Sequence, residues 1–82
     1  MASTHVDQAR SVYLEEEIAS LIPANDPEGE IARRGVLRAA LRAHQSARVV
    51  ELAERYLADP LASLALKATL REFRDGGQKR SE

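Results

Sequence analysis

The sequence has no cysteine and no tryptophan, and it contains only one phenylalanine and two tyrosines. Without cysteine the chain can form neither disulfide bonds nor thiol-based sites, which suits a reducing compartment. The shortage of aromatic residues, together with 14 alanines, indicates a thin hydrophobic core. A domain of 82 residues buries only roughly 60% of the surface that its unfolded chain exposes. We therefore expect one domain that gains stability from a partner or from a second copy of itself.

Long apolar runs are also missing. No segment approaches the roughly 20 apolar residues of a membrane-spanning helix, and the N-terminal MASTHVDQ lacks the basic and apolar regions of a signal peptide. We expect a cytoplasmic protein with no membrane partner. Ten arginines against two lysines, with abundant alanine, are typical of a GC-rich bacterial genome.

The patterns of catalysis and of metal or phosphate binding are absent as well. Zinc needs three or four close ligands, but His44 has Arg48 at the i+4 position and His5 lies near the terminus. The glycines do not form a phosphate-binding pattern; they stand at positions 29, 35, 76 and 77. We therefore expect neither an enzyme nor a cofactor, a metal site or a small-molecule substrate.

Helical patterning is abundant, and its centre is ARVVELAERYLADPLASLALKATLREF, residues 47–73. Asp59 can cap a following helix, and Pro60 suits the first helical position while disfavouring helical geometry at the residue before it. The sequence predicts helices over 47–58 and 60–74. The short connection makes them an antiparallel hairpin.

Each helix of this hairpin has one apolar face at 100° per residue. The faces consist of Val49, Val50, Ala53, Tyr56 and Leu57 in the first helix and of Leu61, Ala62, Ala65, Leu66, Ala68, Thr69, Leu70 and Phe73 in the second. Lys67, Arg71 and Arg74 lie opposite. We expect Gly76 and Gly77 to end the second helix and residues 76–82 to be disordered.

The first helix is predicted over 4–22. It is acidic, because residues 1–30 carry a net charge of −6 whereas residues 31–82 carry +5. Its apolar residues share one arc and are Val6, Tyr13, Leu14, Ile18 and Leu21. Arg10 and Glu17 lie on the same arc, but seven residues separate them by roughly 10 Å, too far for direct neutralisation. They sit at a rim or meet charges on another surface. The run from Glu15 to Glu17 fits a solvated patch, and residues 1–3 are expected to be disordered.

The segment PANDPEG marks the clearest boundary. Asp26 and Pro27 predict a capped helix start. A divalent metal loop using Asp26, Glu28 and Glu30 is disfavoured, because Pro27 removes a needed turn position. The Ala/Arg helix is predicted over 27–44, with an apolar face formed by Ala32, Val36, Ala40, Ala43 and Ala47 and flanked by Leu37 and His44.

The apolar face shifts by roughly 120° between His44 and Arg48, calculated at 100° per residue. This phase change predicts a break, with Ser46 as a cap for the next helix. The alternative is one unbroken helix to Ala58 with different neighbours at its two ends.

The phrase ARVVELAERYLADP followed by LASLALKATLREF resembles the second helix of one tetratricopeptide-type repeat and the first helix of the next. The resemblance implies helix pairs that present a groove to a peptide or a partner helix. The signature positions depart, since residues 27–44 contain neither a tryptophan nor a Leu-Gly pair. The resemblance covers the helical hairpin alone, and we assign no family from it.

Nucleic-acid binding is an alternative. Arg34, Arg38 and Arg42 recur every four residues, with Arg33 beside them, and arginine binds phosphate oxygens well. Against this, the isoelectric point is near 6.1 and no aromatic residue interleaves with the arginines. The Arg34, Arg38 and Arg42 stripe is our candidate phosphate-binding site.

The sequence thus predicts an all-α fold, a small bundle of three to four helices built around an antiparallel helical hairpin. We expect a non-enzymatic protein-protein interaction module, such as an adaptor, chaperone-like or assembly protein, that self-associates as a homo-oligomer or binds a partner helix or peptide. Leu64 and Ile31 are the candidate contact residues, because each is apolar on the charged side of its helix. Lys67 and Arg71 would flank Leu64.

Overall fold

The computed structural model describes the backbone of residues 4–81 and the side chains of residues 10–79. This part of the chain forms four helices and no strand, which confirms the predicted all-α bundle. The helices are α1 (Thr4–Ser20), α2 (Pro27–Arg42), α3 (Ser46–Leu57) and α4 (Leu64–Ser81). The disorder predicted for residues 1–3 and for residue 82 lies outside the described residues.

The helices pair as two hairpins joined through α2. α1 packs on α2, α3 packs on α4, and α2 also contacts α3 and α4. The Cα atoms occupy 41 × 29 × 14 Å, so the molecule is a flat slab. Its largest fully buried side chains are three leucines and three valines: Leu37, Leu52, Leu70, Val12, Val36 and Val49. The core is as thin as the composition predicts, although the sequence analysis did not single out Leu52.

The start of α2 follows the prediction. Asp26 precedes the helix in extended geometry, and its side-chain Oδ1 accepts a hydrogen bond of 2.9 Å from the backbone N–H of Glu28. Pro27 occupies the first helical position, where its missing N–H leaves no bond unmade. The capping interpretation of Asp26 is therefore confirmed.

The predicted break between α2 and α3 is also confirmed. α2 ends at Arg42, and His44 has a left-handed φ of 58°. The N–H of His44 donates to Leu41 O (3.1 Å) and that of Gln45 donates to Ala40 O (3.0 Å), a Schellman termination. Ser46 does not cap α3 as expected; the cap residue is Gln45, which makes no side-chain capping bond.

The predicted start of the last helix at Pro60 is wrong. Asp59 instead organises a turn, in which its Oδ1 accepts from the N–H of Leu61 at 2.9 Å and its carbonyl accepts from Ala62. The cap of α4 is Ser63, whose Oγ accepts from the N–H of Leu66 at 3.0 Å. Ser63 Oγ also donates to Glu30 on α2, so a tertiary contact fixes the start of this helix.

The predicted end of that helix at 74, and the disorder predicted beyond it, are wrong for residues 76–81. α4 continues through both glycines to Ser81. Gly77 is buried, and a Cβ there would lie 3.0 Å from Val50 Cγ2 and 3.2 Å from Ser46 O. Glycine thus lets α4 approach α3 closely, and this packing outweighs the helix-propensity cost of about 1 kcal/mol per glycine.

The orientation of α1 was not foreseen. Val12 and Ala19 face α2 and are almost fully buried, while Tyr13, Leu14, Ile18 and Leu21 of the apolar arc identified in the sequence are exposed. Small side chains allow α1 to approach the alanine-rich α2 closely. A Cβ on Gly35 of α2 would lie only 3.3 Å from Oε2 of Glu15 on α1. α1 ends at Ser20 rather than at residue 22.

Candidate interaction surface

Four large apolar side chains lie together on the solvent side of α1, three of them within the helix and Leu21 directly after its end. Their exposed fractions are 67% for Tyr13, 55% for Leu14, 50% for Ile18 and 82% for Leu21. At 100° per residue they surround Arg10 and Glu17, on the side of the helix opposite Val12 and Ala19. We call these six residues, Arg10, Tyr13, Leu14, Glu17, Ile18 and Leu21, the α1 outer face.

Arg10 and Glu17 are the charges within this face. Neither side chain forms an ion pair with another side chain that the structure describes. The two possibilities left by the sequence, a rim position and a contact with charges on another surface, remain as hypotheses. Their position in the middle of an exposed apolar stripe favours the second.

A ring of ion pairs holds α1 against α3 beside this face. Glu16 binds Arg48 at 2.5 Å and Arg55 at 2.9 Å, and Glu51 binds the same two arginines at 3.0 and 2.9 Å. The hydrogen bond that Arg48 donates to Glu16 raises the pKa of the Arg48 guanidinium. The prediction of a solvated patch is therefore wrong for Glu16, because α3 supplies two arginines that the sequence of α1 cannot reveal.

A groove of about 430 Å³ runs along one flank of the outer face. Its lining comes from α1 and α3: Tyr13, Leu14, Glu16, Glu17, Ser20 and Arg48. The groove therefore has apolar and charged groups side by side. A smaller recess of about 230 Å³ is lined by Leu41, Glu72, Phe73 and Gly76.

The predicted contact residues Leu64 and Ile31 are exposed by 84% and 62%. The 2.5 Å hydrogen bond between Ser63 and Glu30 joins their immediate chain neighbours, so Leu64 and Ile31 belong to segments that lie side by side. Leu61, 49% exposed, belongs to the same segment; we call Ile31, Leu61 and Leu64 the Leu64 patch. Lys67 is half-buried and Arg71 exposed. The role of these residues stays a prediction.

The exposed arginine stripe of α2 contains fewer arginines than the sequence suggested. Arg38 and Arg42 are exposed and Arg34 is half-buried, whereas Arg33 points into the protein with 7% exposure. Its Nη1 donates to Ile22 O at 2.9 Å and to Gly29 O at 3.0 Å, so it ties the α1–α2 loop to α2. The placement of Arg33 beside the stripe is wrong; phosphate binding by the other three stays a prediction.

Tyr56 covers Arg33 from α3. The guanidinium carbon lies 5.5 Å from the centre of the Tyr56 ring, within the range of cation–π attraction. Burial raises the pKa of the Tyr56 phenol above its ordinary value of 10.0, and the Glu16 carboxylate raises it further. The phenol therefore keeps its proton to higher pH in the folded protein than in the unfolded chain.

This shift predicts a loss of stability in alkali. Because the folded pKa is raised, the stabilising contribution is fully present below pH 10 and is lost as pH rises through the folded pKa. We expect urea unfolding between pH 9 and pH 11, about one unit either side of the ordinary tyrosine pKa, to show a steeper decline for the wild type than for Tyr56→Phe. Phenolate absorbance in a Tyr13→Phe background reports Tyr56 alone. Equal slopes in the two proteins would contradict the assignment.

Other kinds of site find little support in the described residues. Among them no group of three or more histidine, cysteine, aspartate or glutamate residues is placed to hold a metal ion. No helix in this part of the chain is long and apolar enough to cross a membrane. The α1 outer face is thus the feature of the described surface that most needs an explanation.

Comparison with known proteins gives no relative for this surface. No family model, no curated protein and no solved structure matches the chain significantly.

Proposed function

We propose that the protein is a non-enzymatic protein-protein interaction module that binds a helix through the α1 outer face. It would act as a small adaptor, chaperone-like or assembly protein, either pairing with itself or binding another protein. Its composition and its lack of cysteine favour the cytoplasm of a bacterium as the location.

The exposed apolar stripe carries this proposal. Single apolar side chains on a surface need no explanation, but contiguous apolar patches with polar surroundings mark interaction sites. Leu14, Ile18 and Leu21 follow one another at spacings of four and three residues, so they form one continuous strip along α1. A helix with an apolar face on each side is typical of an element that packs on two neighbours. Among the described helices only α2 packs closely against α1, while α3 reaches α1 through ion pairs.

The mode of recognition follows from the groove and from the charges around it. A partner helix would place its apolar anchors against Tyr13 and Leu14, where the groove of about 430 Å³ opens. Glu17, in the middle of the face, would meet a charge of the partner, and Arg48 at the edge of the groove would belong to the polar rim of the interface. Glu16 is already satisfied by two arginines and helps to fix the groove wall.

The α1 outer face is expected to control association in solution. Light scattering on the purified protein at low and high salt should show an oligomer that persists at high salt, because apolar contacts are not screened. Leu14→Asp should dissociate it by placing a charge in the apolar strip. The matched variant Leu64→Asp, tested alone and with Ile31→Asp, introduces the same charge on the Leu64 patch. Dissociation by Leu64→Asp with no effect of Leu14→Asp would move the interface to that patch and refute our assignment.

A cross-linking experiment covers partners other than the chain itself. A photoreactive amino acid at position 14 should give covalent protein adducts in cells that produce the protein. The same group at position 28, which is exposed on the first turn of α2, serves as the control. No adduct specific to position 14, together with a monomer in solution, would overturn the proposed function.

A further inference from the structure

We infer that the occupant of the α1 outer face is a second copy of this chain, with the two α1 helices packed antiparallel across a twofold axis near residues 13 and 14. The inference rests on the proposed function, since it names the partner for the same surface. It is carried by the order of charged and apolar residues along that face.

The charges on the α1 outer faces of two copies are complementary only when the two α1 helices run antiparallel. Arg10 and Glu17 lie on the same side of α1 and about 10 Å apart along its axis, and neither pairs with a described side chain of its own copy. An antiparallel second helix reverses their order, so Arg10 of each copy faces Glu17 of the other. A parallel helix in register would place like charges together. The antiparallel pairing forms two ion pairs at once and fixes the register.

The apolar residues fit the same register. The midpoint between Arg10 and Glu17 falls between Tyr13 and Leu14, so Tyr13 and Leu14 of both copies lie together at the centre of the contact. A twofold interface uses the same patch twice and must be self-complementary in this manner. Ile18 and Leu21 lie farther along the same strip and cover the ends of the contact.

The rest of the molecule points to a second copy rather than to an unrelated helix. The neighbouring Glu16 is neutralised within its own chain by Arg48 and Arg55, so the charges left on the face itself are one positive and one negative. A net charge of zero on the face suits a partner with an identical face. The large apolar side chains of this face are at least half exposed, so no other described helix covers them and the face is open to a second copy.

Charge exchange tests the pairing. The wild type of 9.0 kDa should form a dimer by analytical ultracentrifugation. Arg10→Glu and Glu17→Arg alone should each weaken it by about tenfold or more, because each creates two like-charge contacts per dimer. The double variant Arg10→Glu/Glu17→Arg should return to within about threefold of the wild type, since both pairs reform with exchanged signs. Lys79→Glu, with the same charge change at an exposed position of α4, is the control and should leave the dimer intact.

Disulfide trapping tests the orientation independently. The chain has no cysteine, so each introduced thiol is unique. Mixed Arg10→Cys and Glu17→Cys proteins should form a disulfide-linked heterodimer under mild oxidation. Each variant alone should cross-link far more slowly, because its two thiols would be about 10 Å apart. Rapid cross-linking of either variant with itself would contradict the antiparallel register.

The outcomes separate the two proposals. A dimer that Leu14→Asp dissociates but both single charge reversals leave intact would overturn the antiparallel pairing and keep the interaction surface. A monomer at all concentrations would overturn the second copy as the occupant, and adducts of other proteins at position 14 would then still support the interaction module. Circular dichroism of each variant establishes that helicity is retained, and the cysteine pair decides the register if a charge variant loses helicity.

Discussion

Gly29→Ala is expected to lower the thermal midpoint of unfolding by roughly 10 to 25 °C. A Cβ at position 29 would lie 1.9 Å from the carbonyl oxygen of Pro23 and 2.9 Å from its carbonyl carbon. Both are backbone atoms, so no side chain can rotate away and the α1–α2 loop itself must move. Overpacking of this kind costs about 3 kcal/mol, and each kcal/mol shifts the midpoint of a domain of this size by about 4 to 8 °C.

Gly76→Ala is the matched control, because it makes the same chemical change inside α4. Beyond its chain neighbours and the backbone of its own helix, a Cβ at position 76 would meet no atom of the described residues within 4 Å. Alanine is the better helix former by about 1 kcal/mol, so this variant should melt a few degrees above the wild type. Equal midpoints for the two alanine variants in a calorimetric or circular dichroism melt would show that the contact between Gly29 and Pro23 does not hold the loop.

Replacement of Arg33 is expected to have the second largest effect. Arg33→Ala should reduce the free energy of unfolding by about 3 kcal/mol, because it opens a cavity and leaves the carbonyl of Ile22 without its donor. The total stability of such a domain is only roughly 5 to 10 kcal/mol. The variant would therefore be partly unfolded at moderate temperature, as a urea titration would measure.

Two further substitutions separate the contributions of Arg33. Arg33→Met keeps much of the buried stem but removes the donors and the charge, so it should cost less than Arg33→Ala, about 1 to 2 kcal/mol. The loss for Arg33→Met is smaller because the Nε that it also removes has no hydrogen-bond partner among the described residues. Arg38→Ala, at an exposed position of the same helix, should stay within about 0.5 kcal/mol of the wild type. If Arg33→Ala reduced the free energy of unfolding as little as Arg38→Ala, the hydrogen bonds of Arg33 to the loop would not contribute to stability.

Both sites bear on the interaction surface through the α1–α2 loop. Gly29 lies against Pro23 and Arg33 is bonded to Ile22, and these two loop residues follow Leu21 of the α1 outer face directly in the chain. A variant that remains folded but shifts this loop should also weaken dimerisation, although it touches no residue of the α1 outer face. Stability and association would then decline together.

The helix pattern was largely predictable from the sequence, because local rules govern it. The Asp26–Pro27 cap is a local device, and the phase change near His44 is a simple consequence of 100° per residue. The boundaries of α4 were not predictable in this manner. They depend on the contact of Ser63 with α2 and on the close approach of Gly77 to α3, both of which require the tertiary arrangement.

The surface was harder to predict than the helices. The sequence shows that α1 has an apolar arc, but it leaves open which surface this arc meets. The structure instead buries Val12 and Ala19, because a small-residue contact suits the alanine-rich α2. Whether an apolar arc faces the core or the solvent depends on the shape of the neighbouring helix, which residue types along one helix do not encode.

The pairing of each helix with its neighbour in sequence also has a kinetic consequence. α1 closes on α2, and α3 closes on α4, across connections of only a few residues. The chain loses little conformational entropy when it forms contacts between residues that are close in sequence. Helical proteins rich in such local contacts fold within microseconds to milliseconds. Each hairpin can therefore form within a single chain, and that chain can complete its fold long before it meets a second copy by diffusion.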